Sequence, residues 1–393
     1  MVFEQAVAPL DLVRGPLLRL ATRSRLLTRV LSRRETRIAA LGMAQVLLLL
    51  ALTVRWPLAM YFIGPVMLGV AHLAADVRYL ALRLPLPRAL LLASLALAAL
   101  VVIVRVVTAV AAKGGAEAER IEVVVGASWI AIALLLRARP SWPRVAPAIP
   151  VFGAVVAVLV RYAPSVDLAL LHVHNLAAFV LWFALYRRRP GWAALPVVVA
   201  LLGAAVLLSG VTHSWTAHHG GVMAFGERAS RLAAACAPGV NPRLAMGITT
   251  TFIFLQSTHY AVWTGWIAQD CLPGEGTPTF RMTVRSLLAD FGPVALAAIV
   301  VLIVGFAAAA VGHMRQSVHV YMTLARAHVW FELAVFAFLA GRADVVVRPH
   351  PRAVATTPVA QSTPDRSRLA LDSRPRSEVR AARGLQSPPS CIA

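Results

Sequence analysis

Gln316-Ser-Val-His319-Val-Tyr321-Met-Thr-Leu-Ala-Arg326-Ala-His328-Val-Trp-Phe-Glu332 places a histidine and a glutamate inside a run that is otherwise soluble in lipid. Ionisable groups are costly at membrane depth, and where they persist they face a bundle interior and mark a functional path. At about 100° per residue, Tyr321, His328 and Glu332 fall on one helical face and His319 on roughly the opposite one. The stretch predicts a transmembrane helix that turns a polar stripe toward its neighbours, and the rest of the chain must supply those neighbours.

Composition agrees. The 393 residues are 59% hydrophobic, against roughly 45–50% for a soluble domain, and the mean hydropathy is +0.73. The expected fold is all-α, a polytopic α-helical membrane protein. Apolar runs recur near 38–54, 57–80, 89–112, 121–136, 145–160, 166–186, 192–209, 246–267, 292–311 and 317–340, most near the roughly 20 residues a crossing needs. That predicts about ten spans, or eight if the two short runs (121–136 and 145–160) pair as a re-entrant hairpin. No internal repeat of an inverted-repeat transporter is visible.

Three regions follow. Residues 1–36 interleave arginines with leucines, the pattern of a basic amphipathic helix on an anionic cytoplasmic leaflet, or of a solvated basic arm. Residues 37–341 form the membrane domain. Residues 342–393 turn to Pro, Ser, Arg and Ala without a period, which predicts a disordered basic tail. The formal net charge of +21 is a topology signal here, and no nucleic-acid partner is expected. With the N-terminus inside, short inside loops hold Arg78, Arg83 and Arg88, then Arg137, Arg139 and Arg144, then Arg187, Arg188 and Arg189. The outside loops hold Arg55, then Lys113 with Arg120, then Arg161. Both termini are therefore expected in the cytoplasm of a plasma or cell inner membrane, with the 210–245 segment outside. Cys236, Cys271 and Cys391 have no CxxC spacing and imply neither a disulfide framework nor a thiolate metal site.

Ten of the eleven histidines precede the tail. At roughly 1.5 Å per residue from the outer end of each span, His72 lies about 22 Å down, His259 about 20 Å, His328 about 17 Å and His174 about 12 Å. Four helices thus bring imidazole to mid-membrane. Asp76 and Glu332 read as the two carboxylates well inside apolar runs, and each follows a histidine by four residues, a spacing that permits ligation of one ion or orientation of the imidazole. Asp167 and His174 repeat the stripe at a spacing of seven. Gln256, His259, Trp263 and Trp266 share a face by the same count, the tryptophans reading as core aromatics along with Trp330. His172, on the far side of its helix from His174, suits a helix–helix hydrogen bond or a functional role equally. His213, His218, His219, His313 and His319 fall near the outer surface, where histidine costs little.

Imidazole with carboxylate and open positions is the donor set of non-haem iron oxygen chemistry. The expected centre is one metal, iron as Fe(II), held by His72, His174, His259 and His328, with Asp76, Glu332 and Tyr321 as catalytic groups. Its substrate would be a lipophilic small molecule that stays in the lipid bilayer, such as a carotenoid or other isoprenoid, a sterol or an acyl chain. Gly69-Val-Ala-His72-Leu-Ala-Ala-Asp76 resembles the Gly-x-Pro-His-Gly-x-x-Asp signature of the bacterial membrane β-carotene dioxygenases that make retinal. The proline and second glycine of that signature are Ala71 and Leu73 here, and the family's paired-histidine helix has no counterpart. The resemblance implies a ligand role for His72 with Asp76 beside it; His174, His259 and His328 are assigned from depth.

Other readings make different demands. Desaturase boxes need HxxxH and HxxHH clusters, which His213-x4-His218-His219 does not supply. His172-x-His174 and His218-His219 resemble haem–copper oxidase motifs, but in the wrong chain order. A bis-histidine haem protein needs two suitable helices. A proton-coupled transporter would use Asp76, Glu332 and the histidines as a relay without metal, and an assembly factor would need them for stability only.

Overall fold

In the computed structural model the chain is a helical bundle, described over residues 2–111, 115–138, 141–186, 191–218, 223–224, 227–271 and 277–340. The expected tail lies outside these residues. Among the described residues seven helices are long and apolar enough to cross a membrane: Arg34–Arg55, Pro57–Leu82, Arg88–Val110, Gly115–Ala138, Ala163–Ala184, Gly191–Leu208 and Phe280–Leu339. The chain is an all-α polytopic membrane protein.

Three features account for the difference between seven such helices and ten runs. Phe280–Leu339 is 60 residues long, far more than one crossing needs, and breaks at Gly292 (φ 74°) and His313 (φ −137°), so the runs near 292–311 and 317–340 are two helical segments on either side of the second break. Pro293 lacks an amide hydrogen, which suits the first break. The run near 246–267 is Pro242–Ala261 continued by Val262–Trp266 and Ile267–Asp270, and every side chain from Phe252 to Ala261 is buried. Its threonines, Gln256 and His259 lower its hydropathy because protein, not lipid, surrounds it. The run near 145–160 is Ala148–Arg161, 14 residues, about 21 Å against a hydrocarbon core of roughly 30 Å. The other short run, near 121–136, is extended by a polar first turn to the 24 residues of Gly115–Ala138, so the two do not pair as a re-entrant hairpin of equals.

The bundle is apolar outside and carries polar groups within an apolar core. Leu92, Leu95, Val110, Val301 and Val311 are exposed, whereas Arg37, Asn175, Thr250, Gln256 and Thr258 are buried. The apolar outer surface departs from the usual soluble pattern and matches a lipid surround. The main apolar core packs Trp129, Trp182, Trp263, Trp266 and Trp330 with Tyr79 and Phe254. The indole N–H groups of four find acceptors, as buried tryptophans require: Trp129 donates to Ser94 (2.9 Å), Trp182 to Asp270 (2.5 Å), Trp266 to Gln45 (3.1 Å) and Trp330 to Glu122 (3.0 Å). A Cβ on Gly126 would collide with the Trp330 ring, so glycine is what lets these helices close.

Wide π turns interrupt three helices that carry histidine. Pro65–Gly69 and Val77–Leu82 flank His72, Val262–Trp266 follows His259, and Trp182–Tyr186 ends the His174 helix. Such turns are rare and gather at functional sites. The 210–245 segment is not a plain loop. Its described parts are the helix His213–His218, a two-residue ladder pairing Met223 with Arg228 and Ala224 with Glu227, and the helix Ala229–Cys236.

The N-terminal region is tied to the bundle. Val2–Ala21 and Arg25–Ser32 are helical, with Leu12, Leu17, Leu20 and Leu26 exposed. Asp11 accepts from the backbone N–H groups of Phe280 (2.9 Å) and Arg281 (3.2 Å), capping the last helical element where its dipole favours an anion. Arg14 donates to the Thr277 carbonyl (2.9 Å), and Glu4 meets Arg285 (2.8 Å).

Candidate metal centre

Four helical elements converge on one buried cluster. His72, His259 and Glu332 are fully buried, Asp76 and His174 nearly so, and His328 is half-buried. One ligand atom each from His72, His259, His328 and Glu332 lies within 4.8 Å of all the others. His72 Nε2 is 3.2 Å from His259 Nε2, and ring centroids of His72 and His328 are 5.0 Å apart. His174 stands at the rim, its ring 5.1 Å from that of His259 and 5.4 Å from that of His328.

The carboxylates do not sit as the i, i+4 count suggests. Asp76 Oδ2 is 3.4 Å from His72 Nε2, the same nitrogen that faces His259, so it does not orient the ring through Nδ1. Glu332, expected beside His328, instead brings Oε1 to 3.6 Å from His259 Nε2. The reason is that the His328 ring turns back along its own helix, where Nδ1–H donates to the Ala325 carbonyl. His174 Nδ1–H likewise donates to the Leu170 carbonyl (3.1 Å). Both contacts fix the tautomer and leave Nε2 as the lone-pair nitrogen.

Besides Asp76 and Glu332, the two carboxylates read as well inside apolar runs, the structure buries others near the run ends. Glu122 is buried and accepts from Arg105 (2.5 Å) as well as Trp330, Asp270 accepts from Trp182, and Asp290 holds Arg78 (2.6 Å) and Arg83 (2.8 Å). Glu122 and Asp270 sit at the margins of apolar runs, where a hydropathy window hides them. Each of these has a cation or an indole as partner. The four oxygens of Asp76 and Glu332 have no well-aligned donor among the described residues.

Tyr321 reaches the cluster through a residue the sequence reading missed. Its hydroxyl is 3.2 Å from that of Tyr260, which accepts from Gln256 Nε2 (2.9 Å), and the Tyr260 ring is 5.0 Å from that of His72. The one available signal is adjacency to His259. A cavity of about 20 Å³ lies among His174, Tyr260, Tyr321 and His328, room for one water-sized molecule. Gly69 makes this packing possible, since a Cβ there would enter the Tyr321 ring.

The remaining candidates fall elsewhere. The His172 ring packs edge-on against Phe252 (5.3 Å), and its Nε2 has no hydrogen-bond partner among the described residues, so the expected helix–helix bond is not formed. His313 and His319 are exposed and His213 is half-buried. The Asp167 and His218 side chains, and His219, lie outside the description. Trp263 borders the cluster, 6.4 Å from the rings of both His72 and His259, whereas Trp266 leaves the shared face for Gln45.

The donors fit a first-row metal. Metal–imidazole bonds of roughly 2.1 Å put two donors on one ion about 3.0 Å apart at a right angle, about 3.4 Å apart at the tetrahedral angle and about 4.2 Å apart when opposed. The 3.2, 3.4 and 3.6 Å separations fall in or just beyond the range of neighbouring donors. Comparison with protein-family models, curated proteins and solved structures finds no match.

Proposed function

We propose that the protein is an integral membrane, non-haem metal oxygenase whose metal is iron and whose substrate is a lipid-soluble molecule: a carotenoid or other isoprenoid, a sterol or an acyl chain. The observation that carries this reading is the meeting of His72, His259, His328 and Glu332 within 4.8 Å, with His174 and Asp76 alongside, inside a lipid-facing bundle. Two carboxylates left without arginine or lysine need compensation at this depth, and a divalent cation supplies it. When bound, iron supplies the means of activating dioxygen. In a dioxygenase balance both oxygen atoms enter the substrate, so no external electron donor is required.

The chain's own groups have distinct tasks. His72, His259 and His328 present nitrogen lone pairs, His174 lies within reach at the rim, and Asp76 and Glu332 set the charge. Tyr260 and Tyr321 form a hydroxyl pair beside the small cavity, placed to hold or pass a proton at its edge. Trp263 borders the cluster and covers it from one flank. The haem alternative fits less well, since axial nitrogens of a bis-histidine haem stand about 4 Å apart, twice a metal–nitrogen bond, with a porphyrin-sized slot between them. Here His72 and His259 approach to 3.2 Å. The resemblance of Gly69–Asp76 to the membrane β-carotene dioxygenases agrees with this reading. The arginine pattern supports a plasma or cell inner membrane with both termini cytoplasmic.

Metal analysis of the detergent-purified protein is the test. About one iron per chain without a Soret band is expected, falling at least tenfold in His259→Ala. Metal-free protein that remains active would overturn the oxygenase and favour a proton relay, and a Soret band would favour haem.

A further inference from the structure

Beside the metal centre runs a second site that the oxygenase reading does not use. Ala71 and Ala74 of the His72 helix face Leu287, Phe291, Ile299 and Ile303 across an apolar groove of about 240 Å³. Small residues on one wall and the break at Gly292 in the other open this space. At one end the groove shares Arg78, Tyr79, Thr264 and Thr283 with a polar cavity of similar volume that Arg83, Gln269 and Ser286 also line.

The charge at this junction is unequal. Arg78 and Arg83 are both more than nine-tenths buried, and both bond to Asp290 and Ser286. Arg78 Nη1 also donates to the Tyr79 hydroxyl (3.2 Å), whereas Arg83 Nη1 makes no hydrogen bond among the described residues. Among the described residues, two guanidinium groups against one carboxylate leave one positive charge at the mouth of an apolar groove. Burying that surplus is costly unless an anion joins it.

We propose that the groove and its mouth bind a single-chain amphiphile with a carboxylate head, the head on Arg78 and Arg83 and the tail along 287–303. One surplus positive charge matches a monoanion, and the planar guanidinium fork suits a carboxylate. Arg78 lies six residues from His72, about 9 Å along the helix axis, and Trp263 lines the groove with its ring 6.4 Å from those of His72 and His259.

The test is a fluorescence titration of the full-length protein, in neutral maltoside detergent, with the polyene fatty acid parinaric acid and with its methyl ester. Saturable binding of the acid is expected, at least tenfold tighter than the ester. Arg83→Gln, which leaves Asp290 paired with Arg78, should abolish that preference, and Ile299→Trp, which fills the groove, should weaken acid and ester alike. Both variants should keep the parent's metal content and elution volume. Equal binding of acid and ester, or a preference that survives in folded Arg83→Gln, would overturn the proposal. A preference found in metal-free protein supports the groove and leaves the oxygenase reading to its own metal test.

Discussion

Glu122 and Glu332 are both buried glutamates on membrane helices, yet they should respond to substitution in opposite ways. Glu122 closes a pair with Arg105 and takes a third group, the Trp330 indole. Arg105→Met breaks this buried pair while Arg326 still acts on Glu122, so it should cost less than the about 3–5 kcal/mol of a fully unpaired buried charge, much of it recovered in Arg105→Met/Glu122→Gln; thermal unfolding in detergent measures both. Glu332 faces His259 rather than a permanent cation. Glu332→Gln should leave the metal-free protein as stable as the parent or more so, while lowering metal affinity about 10- to 100-fold. At this scale the meeting of four histidines is legible in the sequence, because depth in a membrane is counted by a uniform rise per residue. The carboxylates' partners are not legible, since they depend on how the His328 ring turns toward the Ala325 carbonyl. Tyr260 is missed for a related reason: a face count treats the residue beside His259 as pointing away, whereas its ring packs against His72.

At the scale of the element, the π turns separate what a helical wheel would join. Gln256, His259, Trp263 and Trp266 share a face only while the helix winds at 3.6 residues per turn, and Val262–Trp266 does not. His259 and Trp263 therefore serve the cluster while Trp266 serves Gln45 and the Trp182 ring. Deleting Thr264 should restore regular winding and turn one half of the helix by about 100° against the other. Trp266 and Asp270 anchor one half and His259 the other, so the expected outcome is inserted protein whose metal content falls at least tenfold, read from membrane yield and metal per chain together. An unchanged metal content would show that the wide turn is incidental. Nothing in the sequence announces these turns except Pro65, because packing between helices sets them.

For the whole molecule, the sequence carries the class. Its apolar runs find lipid-facing helices, such as Arg88–Val110, and also the central helix through His259, whose lower hydropathy goes with burial in protein. Orientation rests on the arginine asymmetry. With the native cysteines replaced, an impermeant thiol reagent applied from outside should label a cysteine at Ser230 and not one at Arg88; labelling of both, or of Arg88 alone, would reverse or abolish the assignment. The last described helix ends at Leu339. Truncation after Arg342 should therefore leave the amount of membrane-inserted protein unchanged, because the residues beyond it hold no apolar period with which to order a core.

Asp11 and the amide of Phe280 are 269 residues apart in the chain. At a synthesis rate of roughly 5–20 residues per second, the N-terminal helix waits about 13–54 s before its docking partner exists. Throughout that interval the helix has neither the Asp11 nor the Arg14 contact to hold it. A helix of interleaved arginines and leucines would suit the bilayer surface while it waits, and the last segment made then draws it into place.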